Sequence, residues 1–180
     1  TPLHLAAKEG HTAVIQALID KGANLEAKDA KGWTSLHWAA KEGHAAAIQA
    51  LIDKGANLEA KDNKGLTPLQ LAALLGKAVA IQALLTKGAN LEAKYNDSFT
   101  PLHWAAQEGH AAAIQALLDK GANLEAKAKD DYTPLHLAAE EGHAAAIQAL
   151  VAKGANIEAK DKNDMTPLHL AALYGHAAAI

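Results

Sequence analysis

The feature that most constrains the fold of this chain is a period of 33 residues. A threonine-led tetrapeptide, TPLH in most copies, opens each period, at Thr1, Thr34, Thr67, Thr100, Thr133 and Thr166. Residues 34–66 and 100–132 are identical at 25 of 33 positions. Self-similarity at a fixed period is typical of repeat architectures, in which each copy is stable only when stacked on its neighbours. We therefore expect one repeat domain over residues 1–180, with units starting near 1, 34, 67, 100, 133 and 166, the first and last incomplete.

Each period has the pattern of a helix, a turn, a second helix and an extended loop. In residues 34–66, Thr34 is suited to cap a first helix, and Gly43 is suited to end it. Apolar residues at helical spacing predict a second helix over 44–54, which Gly55 ends. The remaining segment, NLEAKDNKGL, is rich in turn formers and predicts a hairpin-like connector. Helices this short need tertiary packing to persist in water.

These motifs resemble those of the ankyrin repeat family. The 33-residue period with T-P-L-H-x-A is the pattern of that family, and LAAEEGH at 137–143 and the recurrent Gly-Ala-Asn match it as well. The resemblance covers essentially the whole chain. It implies an all-α fold with short β-hairpin loops, a solenoid of stacked helix-turn-helix units. It also implies a concave face, lined by hairpin tips and first helices, that binds a partner protein.

Composition excludes several classes of function. Cysteine is absent, so the chain has neither disulfides nor thiolate chemistry, and a cytoplasmic location is expected. The net charge is −3, and all 17 basic residues are lysine, which does not favour nucleic-acid binding. No apolar run approaches the roughly 18 residues of a membrane span, so no membrane association is expected. We expect a monomer that binds no cofactor.

Ten histidines invite a metal or acid–base interpretation, but they fall in two repeat rows. One row lies three residues after the capping threonine, and the other directly follows a turn glycine. A metal site needs ligands that converge on one point, whereas these form a ladder. We expect the first row to hydrogen-bond around the cap and the second to help start the second helix. No metal site and no catalytic residue is predicted, and the adjacent acids Asp130/Asp131 and Glu140/Glu141 do not change this interpretation.

Variation within the repeat framework indicates where a partner binds. The residue before each capping threonine is large and apolar, and the third and last copies carry apolar pairs at the end of the first helix. Interfaces are enriched in such side chains. The predicted partner-binding residues are Trp33, Leu66, Leu74, Leu75, Phe99, Tyr132, Met165 and Tyr174. The centre of this footprint is expected at Leu66, Leu74, Leu75 and Phe99, whereas Trp38 and Trp104 are assigned to packing.

The sequence thus favours a non-catalytic protein–protein interaction module. Two other hypotheses stay open. The first is a natural or engineered structural scaffold without a specific partner, because near-identical copies suit either duplication or design. The second is an array that selects the substrate of a larger multidomain protein, or a host-directed effector acting in the host cytoplasm.

Overall fold

The structure, a computed structural model, describes residues 1–179, in which the regular elements are helices and no β-strand occurs. Each of the first five periods contributes a first and a second helix, and the last contributes a first helix followed by a turn of 3-10 helix. The first helices are α1 (Pro2–Lys8), α3 (Ser35–Glu42), α5 (Pro68–Leu74), α7 (Pro101–Gln107), α9 (Pro134–Glu140) and α11 (Pro167–Leu173). The second helices are α2 (Thr12–Asp20), α4 (Ala45–Asp53), α6 (Ala78–Thr86), α8 (Ala111–Asp119) and α10 (Ala144–Ala152). Single turns of 3-10 helix occur at Asn96–Ser98, Lys129–Asp131 and Ala177–Ala179.

The chain divides into two compact units. The first comprises Thr1–Ala72 and Lys77–Asn90, and the second comprises Ala73–Gly76 and the residues from Leu91 onward. In the first unit α1 packs on α2 and α3, and α4 packs on α2, α3 and α6. In the second unit α9 packs on α7, α10 and α11, and α8 packs on α7 and α10. Within each unit, consecutive helix pairs therefore stack as the repeat pattern predicts.

Isoleucine and leucine of the second helices form the centre of each core. Ile48 and Leu51 of α4, and Ile114 and Leu117 of α8, have no solvent exposure. Complete burial of such a side chain stabilises a fold by about 1.5–3 kcal/mol. The first helices contribute paired alanines such as Ala105 and Ala106, also fully buried, whose small size lets neighbouring helices approach closely. Packing between neighbours, which no single repeat could supply, therefore holds these short helices in place.

The predicted threonine caps are present and act reciprocally with the residue three positions later. The Thr133 hydroxyl accepts a hydrogen bond from the His136 main-chain N–H (3.4 Å), and His136 Nδ1 accepts one from the Thr133 N–H (3.2 Å). This is the arrangement of a capping box, with histidine in place of the usual glutamate. In the third copy Gln70 Oε1 accepts from the Thr67 N–H at 2.9 Å, so glutamine substitutes for histidine in the cap.

The connectors between repeats are of two kinds and contain no strand within residues 1–179. In one kind an aspartate organises the turn: Asp62 Oδ1 accepts from the N–H groups of Lys64 (2.8 Å) and Leu66 (2.9 Å). In the other kind the aspartate is replaced by Tyr95 or Ala128, and two consecutive residues adopt φ near +60°. In both kinds the loop is closed by one main-chain bond across five residues, such as Tyr95 N–H to Phe99 O (2.8 Å). The hairpin-like connection is thus a closed turn rather than a pair of strands.

A row of glutamates links successive connectors. Glu26 Oε1 accepts from the main-chain N–H of Asn57, and Glu125 Oε1 accepts from that of Asn156, each at 2.8 Å. The same bond joins Glu59 to Asn90 and Glu92 to Asn123. Each glutamate therefore satisfies a main-chain donor of the next repeat, and hydrogen bonds to charged groups are stronger than neutral ones.

Candidate protein-binding surface

The first histidine row joins the cap of one repeat to the connector of the next. His103 Nδ1 lies 3.2 Å from the Thr100 main-chain nitrogen and 2.8 Å from its hydroxyl, and His103 Nε2 lies 3.2 Å from the Tyr132 main-chain oxygen. A carbonyl oxygen can only accept, so Nε2 carries the ring proton and Nδ1 accepts. His37 and His136 make the same bond to the oxygens of Leu66 and Met165, each at 3.1 Å. Both ring nitrogens are thereby used within the fold.

Burial keeps these imidazoles neutral. Desolvation lowers the pKa of His103 to about 4, although the carbonyl acceptors oppose the shift. The same cause lowers the pKa of His37 and His136. Within residues 1–179, no three histidine, aspartate or glutamate side chains are grouped so that they could hold a metal ion. The first row is a structural element of the repeat.

The second histidine row acts on the preceding repeat. His44 Nε2 lies 3.0 Å from the Lys8 oxygen, and His110 Nε2 lies 3.1 Å from the Leu74 oxygen. These oxygens belong to the last turn of a first helix, where carbonyls lack partners within the helix. The expectation that this row starts the second helix is therefore incomplete. His44 and His110 stand directly before α4 and α8, but neither ring makes a cap bond there.

The predicted partner-binding residues differ in how far their side chains are exposed to solvent. Leu66 is buried, with 5% of its surface exposed, so its side chain lies in the interior rather than on a binding surface. Two residues at the ends of first helices are exposed, Leu75 by 37% and Tyr174 by 53%. The remaining five are half-buried: Trp33, Leu74, Phe99, Tyr132 and Met165. Leu74, Leu75, Phe99, Tyr132, Met165 and Tyr174 belong to the second unit, and Trp33 and Leu66 to the first.

The row before each cap has a packing role as well as exposed surface. The Phe99 ring lies 5.3 Å from the His103 ring and 5.1 Å from the Trp104 ring, and the Tyr132 ring lies 5.5 Å from that of His136. Contacts of this kind with the following first helix favour a large apolar residue at this position. These contacts bury most of each ring, and the remainder of its surface faces solvent.

Two tryptophans of the first unit form a pair that sequence reasoning treated as separate residues. The rings of Trp33 and Trp38 meet edge to face, with centroids 4.8 Å apart and an interplanar angle of 74°. Trp33 Nε1 donates to Asp62 at 2.9 Å, and Trp38 Nε1 donates to Asp29 at 3.0 Å. The only sequence signal was that one tryptophan lies in a connector and the other five residues later in the next helix.

The corresponding cluster of the second unit lacks a carboxylate. Trp104 packs against Tyr95 (5.6 Å between centroids) and Phe99, and Trp104 Nε1 is buried without a hydrogen-bond partner. Trp38 bonds to Asp29, but the residue equivalent to Asp29 before Trp104 is Tyr95. The lost acceptor explains the unpaired indole donor, whose burial carries a free-energy cost.

An acidic environment surrounds the exposed end of α11. Burial raises the pKa of Tyr132 to about 12, and the negative charge of Glu140 is the next largest cause of this rise. Glu140 also accepts a hydrogen bond from Tyr174, and its charge is the largest cause of the raised pKa of the Tyr174 hydroxyl. Tyr132, in the connector before α9, therefore lies in one surface group with Glu140 and Tyr174 at the ends of α9 and α11.

An apolar groove of about 530 Å³ is lined mainly by Leu135, Ile147, Val151, Ile157 and Leu168. Its lining positions are those that stack repeats elsewhere in the chain: Leu135 and Leu168 correspond to Leu36, which is 1% exposed. The groove is therefore lined by positions that pack between repeats elsewhere in the chain.

Paired helices repeated every 33 residues, and tied by capping histidines and bridging glutamates, define a helical repeat protein. The family model described as ankyrin repeats (3 copies) matches residues 1–62, 47–128 and 121–180, and the chain belongs to the ankyrin repeat family. This confirms the predicted all-α fold class. Ankyrin repeats are in general non-catalytic modules of protein–protein interaction. No curated protein matches the chain. Within residues 1–179, no helix has the length and apolar character needed to cross a bilayer.

Proposed function

We propose that this chain binds a partner protein through its connectors and the ends of its first helices. The observation that carries the proposal is the exposed Leu75 at the end of the first helix of the third copy. The equivalent residue is glutamate in four other copies, namely Glu9, Glu42, Glu108 and Glu141. The fold therefore accepts a charged residue at this position, and packing does not require an apolar one.

Tyr174 occupies the same position in the last copy and is also exposed. Two copies thus place a large apolar side chain where the framework is otherwise charged. Exposed apolar side chains with polar surroundings are typical of interaction surfaces. Phe99, Tyr132 and Met165 add half-buried surface from the connectors of the same unit, and Trp33 adds it in the first unit. Leu66 is buried and adds no exposed surface.

Site-specific photo-crosslinking tests the proposal. A photoreactive amino acid is placed at Leu75 or Tyr174 and, as matched controls, at the exposed second-helix residues Ala112 and Ala145. In extracts of the source cell we expect the first pair to crosslink one defined protein and the second pair to give no such product. Crosslinks to that protein from Ala112 and Ala145 alone would place the binding surface on the second helices, and the absence of a specific product from every position would favour a scaffold without a partner.

Alanine substitution measures how much Leu74 and Phe99 contribute to the binding free energy. Loss of Leu74 or Phe99 is expected to weaken binding of the crosslinked protein by more than about 2 kcal/mol if they are hot spots. Unchanged affinity in both variants would remove them from the footprint. The control is Val79→Ala, because Val79 is 58% exposed on the second helix α6.

A further inference from the structure

Three lysines converge on the tryptophan pair of the first unit. Lys31 Nζ lies 4.8 Å from the Trp33 ring centroid and 5.9 Å from that of Trp38. Lys41 Nζ lies 5.0 Å from the Trp38 centroid and 5.7 Å from that of Trp33, and Lys8 Nζ lies 5.9 Å from that of Trp38. We call Trp33, Trp38, Lys8, Lys31 and Lys41 the lysine–tryptophan cluster. Ammonium groups at these distances are attracted to the faces of indole rings.

The rings of the cluster are held in fixed orientations. Each indole N–H donates to a carboxylate, that of Asp62 for Trp33 and that of Asp29 for Trp38. Both aspartates also accept main-chain N–H groups of their own connectors, as Asp29 does from Lys31 and Trp33. The two indoles therefore need little reordering on binding, which lowers the entropic cost of association.

The lysines of the cluster differ in how far they are neutralised. Lys41 forms an ion pair with Glu42 at 3.1 Å, and Lys8 forms a longer one with Glu9 at 3.9 Å. No carboxylate in the described part of the chain lies within ion-pair distance of Lys31. Lys31 is exposed, so its ammonium group faces solvent above the Trp33 ring and is open to an external anion.

The next repeat offers a natural comparison. Lys64 occupies the same place in its connector as Lys31, but Leu66 and Leu71 stand where Trp33 and Trp38 stand. Both leucines are buried, so the next repeat has no aromatic surface beside its lysine. If lysine were present only because it suits the turn, the same reason would apply to Lys31 and to Lys64. Only the first combines a lysine without an ion pair and a preorganised tryptophan pair.

We propose that the lysine–tryptophan cluster binds an acidic segment of the partner protein, in which carboxylates flank an apolar or aromatic side chain. The carboxylates pair with the ammonium groups, and the apolar side chain packs on the indoles and lysine stems. Tryptophan is enriched among interface hot spots, and complementary charge fixes the register of a bound segment. This inference rests on the proposed function and names the chemistry of the partner.

Nuclear magnetic resonance of the full chain tests the inference without the natural partner. The chain has three tryptophans, and each gives one indole N–H signal. The probe is a short synthetic peptide in which glutamates flank one phenylalanine, and its matched control carries glutamines. We expect the acidic peptide to shift the signals of Trp33 and Trp38, not that of Trp104, and the effect to weaken with added salt. Equal shifts with the glutamine peptide, or no shift at Trp33 and Trp38, would overturn the proposal.

A pair of charge reversals separates the cluster from general electrostatics. Lys31→Glu is expected to weaken binding of the acidic peptide at least about tenfold, whereas Lys64→Glu, with the same change of net charge, is expected to leave it nearly unchanged. Equal losses in both variants would contradict the proposal. Matching unfolding midpoints for both variants exclude misfolding as the cause. If the acidic peptide does not bind the cluster, a specific crosslink from Leu75 or Tyr174 would still support the proposed function. If no partner is crosslinked, the peptide experiment can still be interpreted, because it does not use the natural partner.

Discussion

His103 donates from Nε2 to the main-chain oxygen of Tyr132, 29 residues further along the chain, at 3.2 Å. The same ring accepts from Thr100, so one imidazole joins the cap of its own helix to the connector of the next repeat. The bond requires a neutral ring with its proton on Nε2. Protonation would place a second proton on Nδ1, facing the donors of Thr100. The stability of the array is therefore linked to histidine titration.

The free energy of unfolding should fall as the pH drops below neutral. An unfolded histidine binds a proton near pH 6.5, whereas folded His103, with its pKa lowered to about 4, stays neutral over that interval. The unfolded state therefore binds more protons between these values, and stability is lost as the pH falls through this window. His103 alone contributes on the order of 3 kcal/mol. Denaturant unfolding at a series of pH values measures the slope.

The control for this prediction is already present in the chain. Gln70 occupies the position of these histidines and accepts from the Thr67 N–H. His103→Gln should therefore retain the cap at neutral pH and reduce the pH dependence. A variant with the same slope as the wild type would show that His103 does not carry the linkage.

The two first-helix tryptophans should respond differently to leucine, the residue at this position in other copies. Trp38→Leu removes a paired indole donor and leaves Asp29 with one bond fewer, whereas Trp104→Leu removes a buried donor that has no partner. We expect Trp38→Leu to cost about 1–2 kcal/mol more in the free energy of unfolding. Chemical denaturation of both variants measures the difference, and a larger loss for Trp104→Leu would contradict the account of the unpaired donor.

Alanine substitutions at two glycines of the second unit distinguish the cost of backbone strain from the cost of side-chain crowding. Gly109 and Gly121 both have positive φ, at 73° and 87°. A Cβ atom at Gly109 would lie 2.6 Å from the His143 ring, whereas at Gly121 it would meet nothing within 4 Å. Gly121→Ala should cost about 1 kcal/mol through φ alone. Gly109→Ala should cost roughly 1–2 kcal/mol more because the ring must shift. Equal unfolding free energies in the two variants would show that the contact with His143 is unimportant.

The helices of this fold were predictable because the same sequence signals recur in several copies of the repeat. Threonine caps, glycine stops and apolar spacing defined the helices, and the structure places them as expected. The partners of the histidine rings were not predictable in full, because His44 bonds to Lys8, 36 residues earlier, and no local pattern records such a contact. The turn glycine before each second-row histidine was the only signal of a close approach.

The positions of the candidate surface stay a prediction, and the sequence did not indicate how far each of their side chains is exposed. Leu66 precedes a cap just as Trp33 and Phe99 do, yet only Leu66 is buried. Its smaller side chain fits into the interior, whereas a larger ring leaves part of its surface in solvent. Similarly, the sequence assigned Trp38 to packing alone, although the structure joins it to Trp33 and three lysines. Side-chain convergence of this kind depends on tertiary geometry.

The central claim is that the exposed apolar ends of the first helices bind a protein partner. The most direct test compares the affinity of the crosslinked partner for Leu75→Ser and for Val79→Ser, which removes an exposed apolar side chain from a second helix. We predict that Leu75→Ser weakens binding at least about tenfold and that Val79→Ser leaves it unchanged. Unchanged affinity for Leu75→Ser together with a tenfold loss for Val79→Ser would contradict the claim and assign binding to the second helices.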